Sequence, residues 1–425
     1  MILSGQLTYI VLDTPHILES YRHAKEISFD HFIKLLMIFA GVSKPTRDHL
    51  CSTGDGPQNG AAMFRKVINT ALFHGQGDNN VSLRYRTLLQ DALQPRALLY
   101  RRPAITIPGR LSVSNWTMDL MTSMAFNSHL GKTFLDMHPE CLDSFRIVAH
   151  DAWVLGFDWP INLVSKPHFH RDKIVHALSQ YYELPQTQRA DQIPFLGEIE
   201  GSLRSQGIQT PDIAALTFQM LLAIGGNPPR AAFWLLSHIL YDKTLLDQLR
   251  AECATAFDKG ANEQPDISVL LDQCPKLNAA FQETLRLYTG IISMKRLVND
   301  TTIGGYHLQR GADVLIPYRF VHLNPELWGT DCKTFNCQRF LHNPSFATAN
   351  FYRPFGGGSS YCSGRNIARQ IVLSFVATVI TRYNVEVVNG IESQPFPKSD
   401  EEAFTFGLLP PAVGQDIEIM VSRRE

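Results

Sequence analysis

The chain has 425 residues, of which 44% are hydrophobic and 19% are charged, and 39 basic side chains almost balance 40 acidic ones. This is the composition of an ordinary globular protein without polyelectrolyte character, which argues against nucleic acid as a partner. Its seven cysteines are odd in number, scattered and without a C-x-x-C pair, which argues against a disulfide framework or a structural zinc site.

The first segment, MILSGQLTYIVLD, has a β-strand pattern and lacks the basic start and cleavage pattern of a signal peptide. The next segment, TPHILESYRHAKE, predicts a helix to about Glu26, with Thr14 as N-cap and Pro15 at the first helical position. No apolar run approaches the roughly 20 residues that span a bilayer, so the sequence predicts no transmembrane helix.

Helical patterns dominate as far as Asn299, and β patterns follow. TTIGGYHLQRGADVLIPY alternates between turn signals and predicts a small β-meander, while FGLLPPAVGQDIEIMVSRR predicts a C-terminal hairpin. The expected fold class is therefore mainly α, helix-rich with a small β-sheet region and a C-terminal β-hairpin.

The segment LLAIGGNPPRAAFWLL, residues 221–236, lies inside a predicted helix that contains two prolines. Pro228 and Pro229 cannot donate hydrogen bonds, so the helix is expected to kink, and a kink beside Gly226 would open a groove. The alternative is an ordinary proline-kinked core helix in which Asn227 caps the broken turn.

A later helical segment, FQETLRLY, contains an E-x-x-R motif. Glu283 and Arg286 are three residues apart and share one helix face, which by itself most often means a solvated surface ion pair. Arg339 and Phe340 follow a tryptophan-containing turn further along the chain.

The segment PFGGGSSYCSGRNIARQ surrounds Cys362 with glycines that permit positive φ angles and close approach to a flat, bulky group. Apolar residues recur every fourth position after Gly364, so the thiol lies at a predicted helix N-terminus. Backbone N–H groups and the helix dipole are expected to lower the pKa of the thiol, as suits a metal ligand. The alternative is a buried small hydrophobe in a glycine-rich turn.

The motifs E-T-L-R, R-F and F-G-G-G-S-S-Y-C-S-G, in this order, resemble the cytochrome P-450 family of haem-thiolate enzymes, in its eukaryotic microsomal type. The resemblance implies that Cys362 is the axial thiolate ligand of a haem b iron and that Phe355 packs beneath the porphyrin. It also places Gly358 and Gly364 among the residues that bind the cofactor.

The resemblance further implies that Glu283, Arg286 and Arg339 form a buried network that fixes the cysteine loop. It covers nearly the whole chain, so residues 1–425 are expected to form a single haem-thiolate domain that lacks the membrane anchor, hinge and first helix of microsomal members. The strand LTYIVLD would then have an unpaired edge.

On the distal side, most members of the family carry an acid followed by threonine, where this sequence has Gly226 and Asn227. That pair, with the following P and AFW, resembles the subgroup of prostacyclin synthase and the cholesterol and oxysterol 7α-hydroxylases, which contains an isomerase and hydroxylases. Asparagine can donate and accept, so it can position a water or a substrate peroxide. Gly226 and Asn227 are the candidate catalytic residues.

Haem propionates need cations, and the resemblance supplies candidates. The family's W-x-x-x-R motif reads Ser82 to Arg86, so the tryptophan is missing while Arg86 remains, and the position two residues before the cysteine is Ser360. Lys295 or Arg296 is then the other expected partner. Each of these cations could instead be a solvated surface charge.

The leading hypothesis is a haem-dependent monooxygenase that inserts one atom of O2 into a lipophilic terpenoid, steroid or polyketide-like substrate in secondary metabolism. The resemblance implies electrons from NADPH–cytochrome P-450 reductase, with cytochrome b5 as a further donor, a monomer, and peripheral contact with the cytosolic face of the endoplasmic reticulum membrane. Substrate contacts are expected from residues 29–42, 222–227 and 406–408, which are largely apolar. The alternatives are an electron-independent isomerase or dehydratase and an inactive haem-binding protein.

Overall fold

The computed structural model describes residues 1–3, 5–51, 76–93, 110–151, 155, 161–257 and 264–424. Helices form most of this part of the chain, as the sequence predicts, and small sheets form the rest of its regular structure. The helices of the N-terminal half are α1 Thr14–Arg22, α2 Asp30–Ala40, α3 Lys44–Leu50, α4 Gln76–Ala92, α5 Val113–Leu130, α6 Lys132–Met137, α7 Cys141–Asp151, α8 Ile161–Glu183 and α9 Pro194–Ser205. Those that follow are α10 Thr210–Gly225, α11 Pro228–Leu240, α12 Lys243–Cys253, α13 Ile267–Asp272, α14 Pro275–Tyr288, α15 Tyr318–His322, α16 Pro325–Trp328, α17 Gln338–His342 and α18 Arg365–Arg382.

The strands form three small sheets. They are β1 Ile2–Leu3, β2 Gln6–Ile10, β3 Ile27–Ser28, β4 Arg110–Ser112, β5 Ile292–Leu297, β6 Thr301–Ile303, β7 Tyr306–Leu308, β8 Asp313–Pro317, β9 Tyr383–Val387 and β10 Glu418–Arg423. The largest sheet has the order β1-β2-β8-β5-β3, and only its β2–β8 pair is parallel. The second has the order β4-β10-β9, and β6 pairs with β7.

Strand β2 has a neighbour on each side, so the expectation of an unpaired edge at LTYIVLD is wrong. Residues 2–3 fold back to pair with residues 6–7, and Tyr9 is opposite Val314 on the other side. The helix after β2 is shorter than predicted. It begins at Thr14, with Asp13 rather than Thr14 as N-cap, and ends at Arg22, because Ile27 and the residue after it are drawn into the sheet beside β5.

The predicted β-meander and hairpin are confirmed only in part. Strands β6 and β7 do form a hairpin, but β8 leaves it to join the large sheet. The C-terminal segment doubles back through an antiparallel bridge between Ser399 and Pro411. Its last strand, however, pairs with β9 and β4, which are distant in sequence, rather than with its own neighbour.

The predicted break in the long central helix is confirmed. Helix α10 ends at Gly225 and α11 begins at Pro228, because two successive prolines remove the donors that would continue the hydrogen-bond ladder. Helix α11 packs against α5, α14 and α18, and Trp234 on α11 is fully buried. The break therefore lies at a fixed position in the core.

Helix α18 begins at Arg365 with Gly364 as its N-cap, which confirms the predicted helix after the cysteine. In the part of the chain that is described, every helix is too short or too polar to cross a membrane.

Candidate active site

The cysteine loop, defined here as residues 354–364, ends at the N-terminus of α18. Gly356 and Gly358 have φ angles of 76° and 60°, the left-handed region that favours glycine. The backbone N–H of Cys362 donates to the carbonyl of Phe355 at 3.0 Å, and Arg365 donates to the carbonyl of Cys362 at 3.0 Å. These bonds hold the cysteine at a tight turn.

A flat side chain does approach the glycines, and it is Tyr21 of α1. A Cβ atom added at Gly357 would lie 2.5 Å from the Tyr21 hydroxyl, and one at Gly358 would lie 2.7 Å from its ring. The Tyr21 hydroxyl is 2.9 Å from that of Tyr318, and burial raises the pKa of Tyr21, so the phenol stays neutral. Sequence reasoning missed Tyr21, which lies more than 330 residues before the loop.

Cys362 is exposed as a residue, whereas all the other cysteines are buried or half-buried. The backbone N–H groups of Gly364 and Arg365 favour the thiolate and act to lower its pKa, as predicted. Desolvation by the surrounding loop is the larger effect, however, and raises the pKa of the thiol above its ordinary value. The expectation of a net lowered pKa is therefore wrong for the thiol without a metal, because packing density is not visible in the sequence.

Glu283 and Arg286 are fully buried, so they are not a surface pair. The Nε and Nη2 atoms of Arg286 each donate to one carboxylate oxygen of Glu283 at 2.8 Å. The Nη1 atom donates to the carbonyls of His322 and Cys332 at 2.7 and 2.6 Å. Both charges are thus paired and hydrogen-bonded, the condition under which buried charges are tolerated.

Arg339 also contacts this pair. Its Nε donates to Glu283 at 3.3 Å, and its Nη2 is 2.6 Å from a carboxylate oxygen of Asp331. It also donates to the carbonyl of Trp328, and the backbone N–H of Asn336 donates to Glu283 at 2.9 Å. The network therefore fastens the irregular chain that precedes the cysteine loop to α14.

His322 links the network to the cysteine loop, and sequence reasoning missed it. The carbonyl of His322 accepts from Arg286, and its Nε2 accepts the backbone N–H of Arg353 at 2.8 Å, one residue before the loop. Burial, with a further contribution from the charge of Arg286, lowers the pKa of His322 to about 3. The ring is therefore a neutral acceptor, and only its position two residues before the turn NPELW could have drawn attention to it.

At the helix break, Asn227 contacts the C-terminal segment rather than standing free. Its Oδ1 accepts the backbone N–H of Leu408 at 3.1 Å. A Cβ atom at Gly407 would collide with the Asn227 side chain, so the approach requires glycine there. Gly226 and Asn227 both line a cavity of about 50 Å³ beside the break.

The three segments predicted to contact substrate come together. Phe406 lies edge-on to Phe32 and Phe39 of α2, with ring centroids 5.5 and 6.0 Å apart. A second cavity of about 170 Å³ lies among these rings, Leu35 and Phe404. His31, Lys295 and Asp313 also line this cavity, but most of its lining is apolar and suits a lipophilic group.

The candidate propionate cations are in different surroundings. Arg296 holds both oxygens of Asp313, at 2.8 and 3.1 Å. Lys295, on the opposite face of β5, is 3% exposed and has no carboxylate partner in the described ranges. Desolvation lowers its pKa to about 8, and its Nζ lies 5.1 Å from the centre of the Tyr21 ring. Of the two, Lys295 is the cation left for an external anion.

The structure does not bring Arg86 to this group of residues. It lies on α4 beside Met124 of α5 and Ile371 of α18, where a small cavity separates the three helices. The side chain of Ser82 lies outside the described residues, and the Ser360 hydroxyl donates within the loop to the carbonyl of Gly357 at 2.9 Å.

The residues present fit a haem with a thiolate ligand. A single exposed cysteine in a glycine-rich turn just before a helix is the donor set of such a site. Phe355 lies half-buried in the same loop, and Lys295 offers a positive charge that no described carboxylate neutralises.

Comparison with known proteins supports this reading. A family model described as Cytochrome P450 matches residues 111–413. The chain is similar to cytochrome P450 monooxygenase poxD of Penicillium oxalicum, with 25% identity over 404 residues, which is 92% of this chain and 81% of that protein.

Two mammalian proteins are also similar. The first is human 7-alpha-hydroxycholest-4-en-3-one 12-alpha-hydroxylase, 26% identical over 238 residues, or 51% of this chain and 47% of that protein. The second is rat prostacyclin synthase, 26% identical over 258 residues, or 56% of this chain and 50% of that protein. The chain thus spans about half the length of these two relatives.

Proposed function

This chain belongs to the cytochrome P450 family of haem-thiolate monooxygenases, and from that premise we propose that it inserts one atom of O2 into a lipophilic substrate with NADPH-derived electrons. The observation that carries the proposal is the exposed Cys362, which lies in a glycine-rich loop at the start of a buried helix. When bound, the haem supplies oxygen activation, for which an anionic sulfur ligand favours cleavage of the O–O bond.

The chain's own residues divide the remaining work. Cys362 would hold the iron of haem b, Phe355 would pack against the porphyrin with Gly358 and Gly364 shaping the loop, and Lys295 would hold a propionate. Glu283, Arg286 and Arg339 would keep the loop in place, since their network reaches the residue before it through His322.

Asn227 would orient a water or a substrate oxygen beside Gly226. Its Oδ1 already accepts from Leu408, and its Nδ2 hydrogens have no acceptor among the residues that the structure describes. Asn227 would therefore position oxygen atoms by donating hydrogen bonds, and the apolar wall of Phe32, Phe39 and Phe406 would exclude bulk water.

The proposed electron donor is NADPH–cytochrome P-450 reductase, with cytochrome b5 as a further donor, and the proposed form is a monomer. We also propose a terpenoid, steroid or polyketide-like substrate, a role in secondary metabolism, and peripheral contact with the cytosolic face of the endoplasmic reticulum membrane. These finer proposals are supported by family membership and by the apolar cavity of about 170 Å³.

Carbon monoxide binding tests the thiolate. The reduced recombinant protein should show a Soret band near about 450 nm, the signature of a thiolate ligand. Cys362→Ala should abolish that band, while Cys51→Ser, at a half-buried cysteine outside the loop, should retain it. Reconstitution with reductase should then yield products one oxygen atom heavier. Absence of the band in the wild type, or its survival in Cys362→Ala, would overturn the proposal.

An electron-independent isomerase is the second candidate. It is favoured by Asn227 in the place of the family's threonine and by the similarity to prostacyclin synthase. It would rearrange a lipophilic hydroperoxide or endoperoxide without NADPH or reductase. Turnover that strictly requires both reagents would exclude it.

A further inference from the structure

A buried cation, Arg230, lies on α11 one turn after Asn227, and the proposed reaction does not use it. Arg230 is only 8% exposed. Its Nη1 donates to the Thr405 hydroxyl at 2.9 Å and to the Leu408 carbonyl at 2.8 Å, and its Nη2 donates to the Ala149 carbonyl at 2.7 Å. These bonds tie three elements together, but every acceptor is neutral.

The charge of Arg230 is not compensated within the described chain. Arg189 and Arg286, which are buried to a similar degree, hold carboxylates at 2.8 Å. No ion pair of Arg230 is found among the described residues, and burial lowers its pKa to about 10 with no acid opposing that shift. A buried guanidinium of this kind is costly unless an anion completes its surroundings.

Two N–H donors of Arg230 are left for such an anion. A guanidinium has five, and the three hydrogen bonds above leave the Nε–H and one Nη2–H without an acceptor among the residues that the structure describes. In Arg286 the same two nitrogens hold both oxygens of Glu283. Arg230 thus retains donors suited to a carboxylate.

Space for that group lies directly beside it. Arg230 lines the cavity of about 50 Å³ together with Asn227, Gly226, His150 and Leu222, and none of its described lining residues is an acid. Since a cavity needs roughly 10–15 Å³ to admit one water, this one has room for a small polar group. A basic, acid-free cavity favours an anionic occupant.

The small cavity adjoins the apolar one. Phe404 and Phe406 line both, so the space beside Arg230 and the space of about 170 Å³ among Phe32 and Phe39 share a wall. The larger cavity is mainly apolar, although Lys295, His31 and Asp313 also line it. A molecule with one charged end beside Arg230 and an apolar body among the aromatic rings would place each part in matching surroundings.

We propose that Arg230 binds the carboxylate of the substrate, so that the chain acts on lipophilic carboxylic acids. The inference rests on the proposed function, to which it adds the substrate class. Held by its carboxylate one helical turn from Asn227, such an acid would present its apolar body to the distal side of the site.

Affinity for matched acids and esters tests the proposal. The holoenzyme, checked by its carbon monoxide band, is titrated by equilibrium dialysis with two probe pairs: dodecanoic acid with methyl dodecanoate, and abietic acid with methyl abietate. In the wild type, at least one acid should bind about tenfold or more tightly than its ester, the difference expected for a charge-assisted hydrogen bond. In Arg230→Gln the acid should lose this advantage while the ester is unaffected.

Two further variants separate recognition from packing. Arg230→Lys keeps the positive charge and should keep part of the preference for the acid. Arg189→Gln removes a buried arginine that is paired with Glu200, and it should leave the ratio of acid to ester affinity unchanged.

The comparison of acid and ester affinity in the wild type needs no variant, so it can overturn the proposal even if Arg230→Gln does not fold. Failure of every acid to bind more tightly than its ester overturns the proposal, as does an equal loss of acid and ester affinity in Arg230→Gln. A normal carbon monoxide band without acid preference overturns only this inference. Absence of the band instead counts against the proposed function.

Discussion

Two buried arginines, Arg286 on α14 and Arg230 on α11, have different hydrogen-bond partners. Arg286 binds Glu283 through two nitrogens, whereas Arg230, within the described ranges, donates to one hydroxyl and two carbonyls. A charge neutralised inside the chain can only hold structure. A guanidinium whose acceptors are all neutral keeps its full positive charge, so it can attract an anion in the neighbouring cavity. Arg286 therefore has a structural role beside the cysteine loop, whereas Arg230 is a candidate ligand-binding residue at the helix break.

The largest expected effect comes from breaking the neutralised pair. Glu283→Gln preserves shape but leaves Arg286 buried without its counter-charge, which should cost about 3–5 kcal/mol in the free energy of unfolding. Denaturant titration measures the loss, and haem content should fall with it. A loss of only about 1 kcal/mol in the free energy of unfolding, as for an exposed ion pair, would mean that the network contributes little to stability.

Removing the uncompensated charge should cost less. Arg230→Met loses three hydrogen bonds but also relieves the desolvation of an unpaired guanidinium, so we expect a loss of about 1–3 kcal/mol. Arg286→Met, measured by the same titration, is the matched control and should destabilise more. If the two losses are equal, the distinction between the two arginines fails.

The pH dependence of stability probes the framework side. Burial lowers the pKa of His322 to about 3, below its ordinary 6.5, so its contribution is complete above pH 6.5 and declines as pH falls. The decline should approach about 1.4 kcal/mol per pH unit between pH 6 and 4. His322→Gln keeps an acceptor for Arg353 and should show a shallower slope, whereas exposed His307→Gln should not. Identical slopes in wild type and His322→Gln would refute the assignment.

The smallest effect is expected from an exposed pair next to the same framework. Arg319 holds Glu401 at 2.7 Å, but the Glu401 side chain is 56% exposed. Glu401→Gln should change the free energy of unfolding by at most about 1 kcal/mol, since solvent screens such pairs. High salt should reduce even this difference in stability. A larger loss of stability that does not depend on salt would show that burial does not explain the difference between the exposed Arg319–Glu401 pair and the buried Arg286–Glu283 pair.

Local chemistry made several features predictable. Two adjacent prolines set the helix break, positive φ angles required glycines before Cys362, and three-residue spacing placed Glu283 beside Arg286. The features that sequence reasoning missed depend on contacts between distant segments. Tyr21 meets the cysteine loop from the far end of the chain, and the neutral acceptors of Arg230 come from elements that only the fold brings together.

The errors have the same origin. The raised pKa of the Cys362 thiol reflects how many atoms surround it, and a pattern of residue types does not contain that information. The last strand pairs with β9 and β4 because those strands offer open edges in the folded protein, whereas the sequence suggested a local hairpin.

The hydrogen bond from Arg353 to His322 has a consequence for assembly. The imidazole of His322 accepts the backbone N–H of Arg353 just before the cysteine loop, and the carbonyl of His322 accepts from Arg286 on α14. The loop therefore cannot reach its final shape until segments some 70 residues apart have docked. Haem would then bind late in folding, after the surrounding core has formed. A chain with a misplaced α14 would bind no haem and remain colourless, so haem absorbance would identify correctly folded molecules.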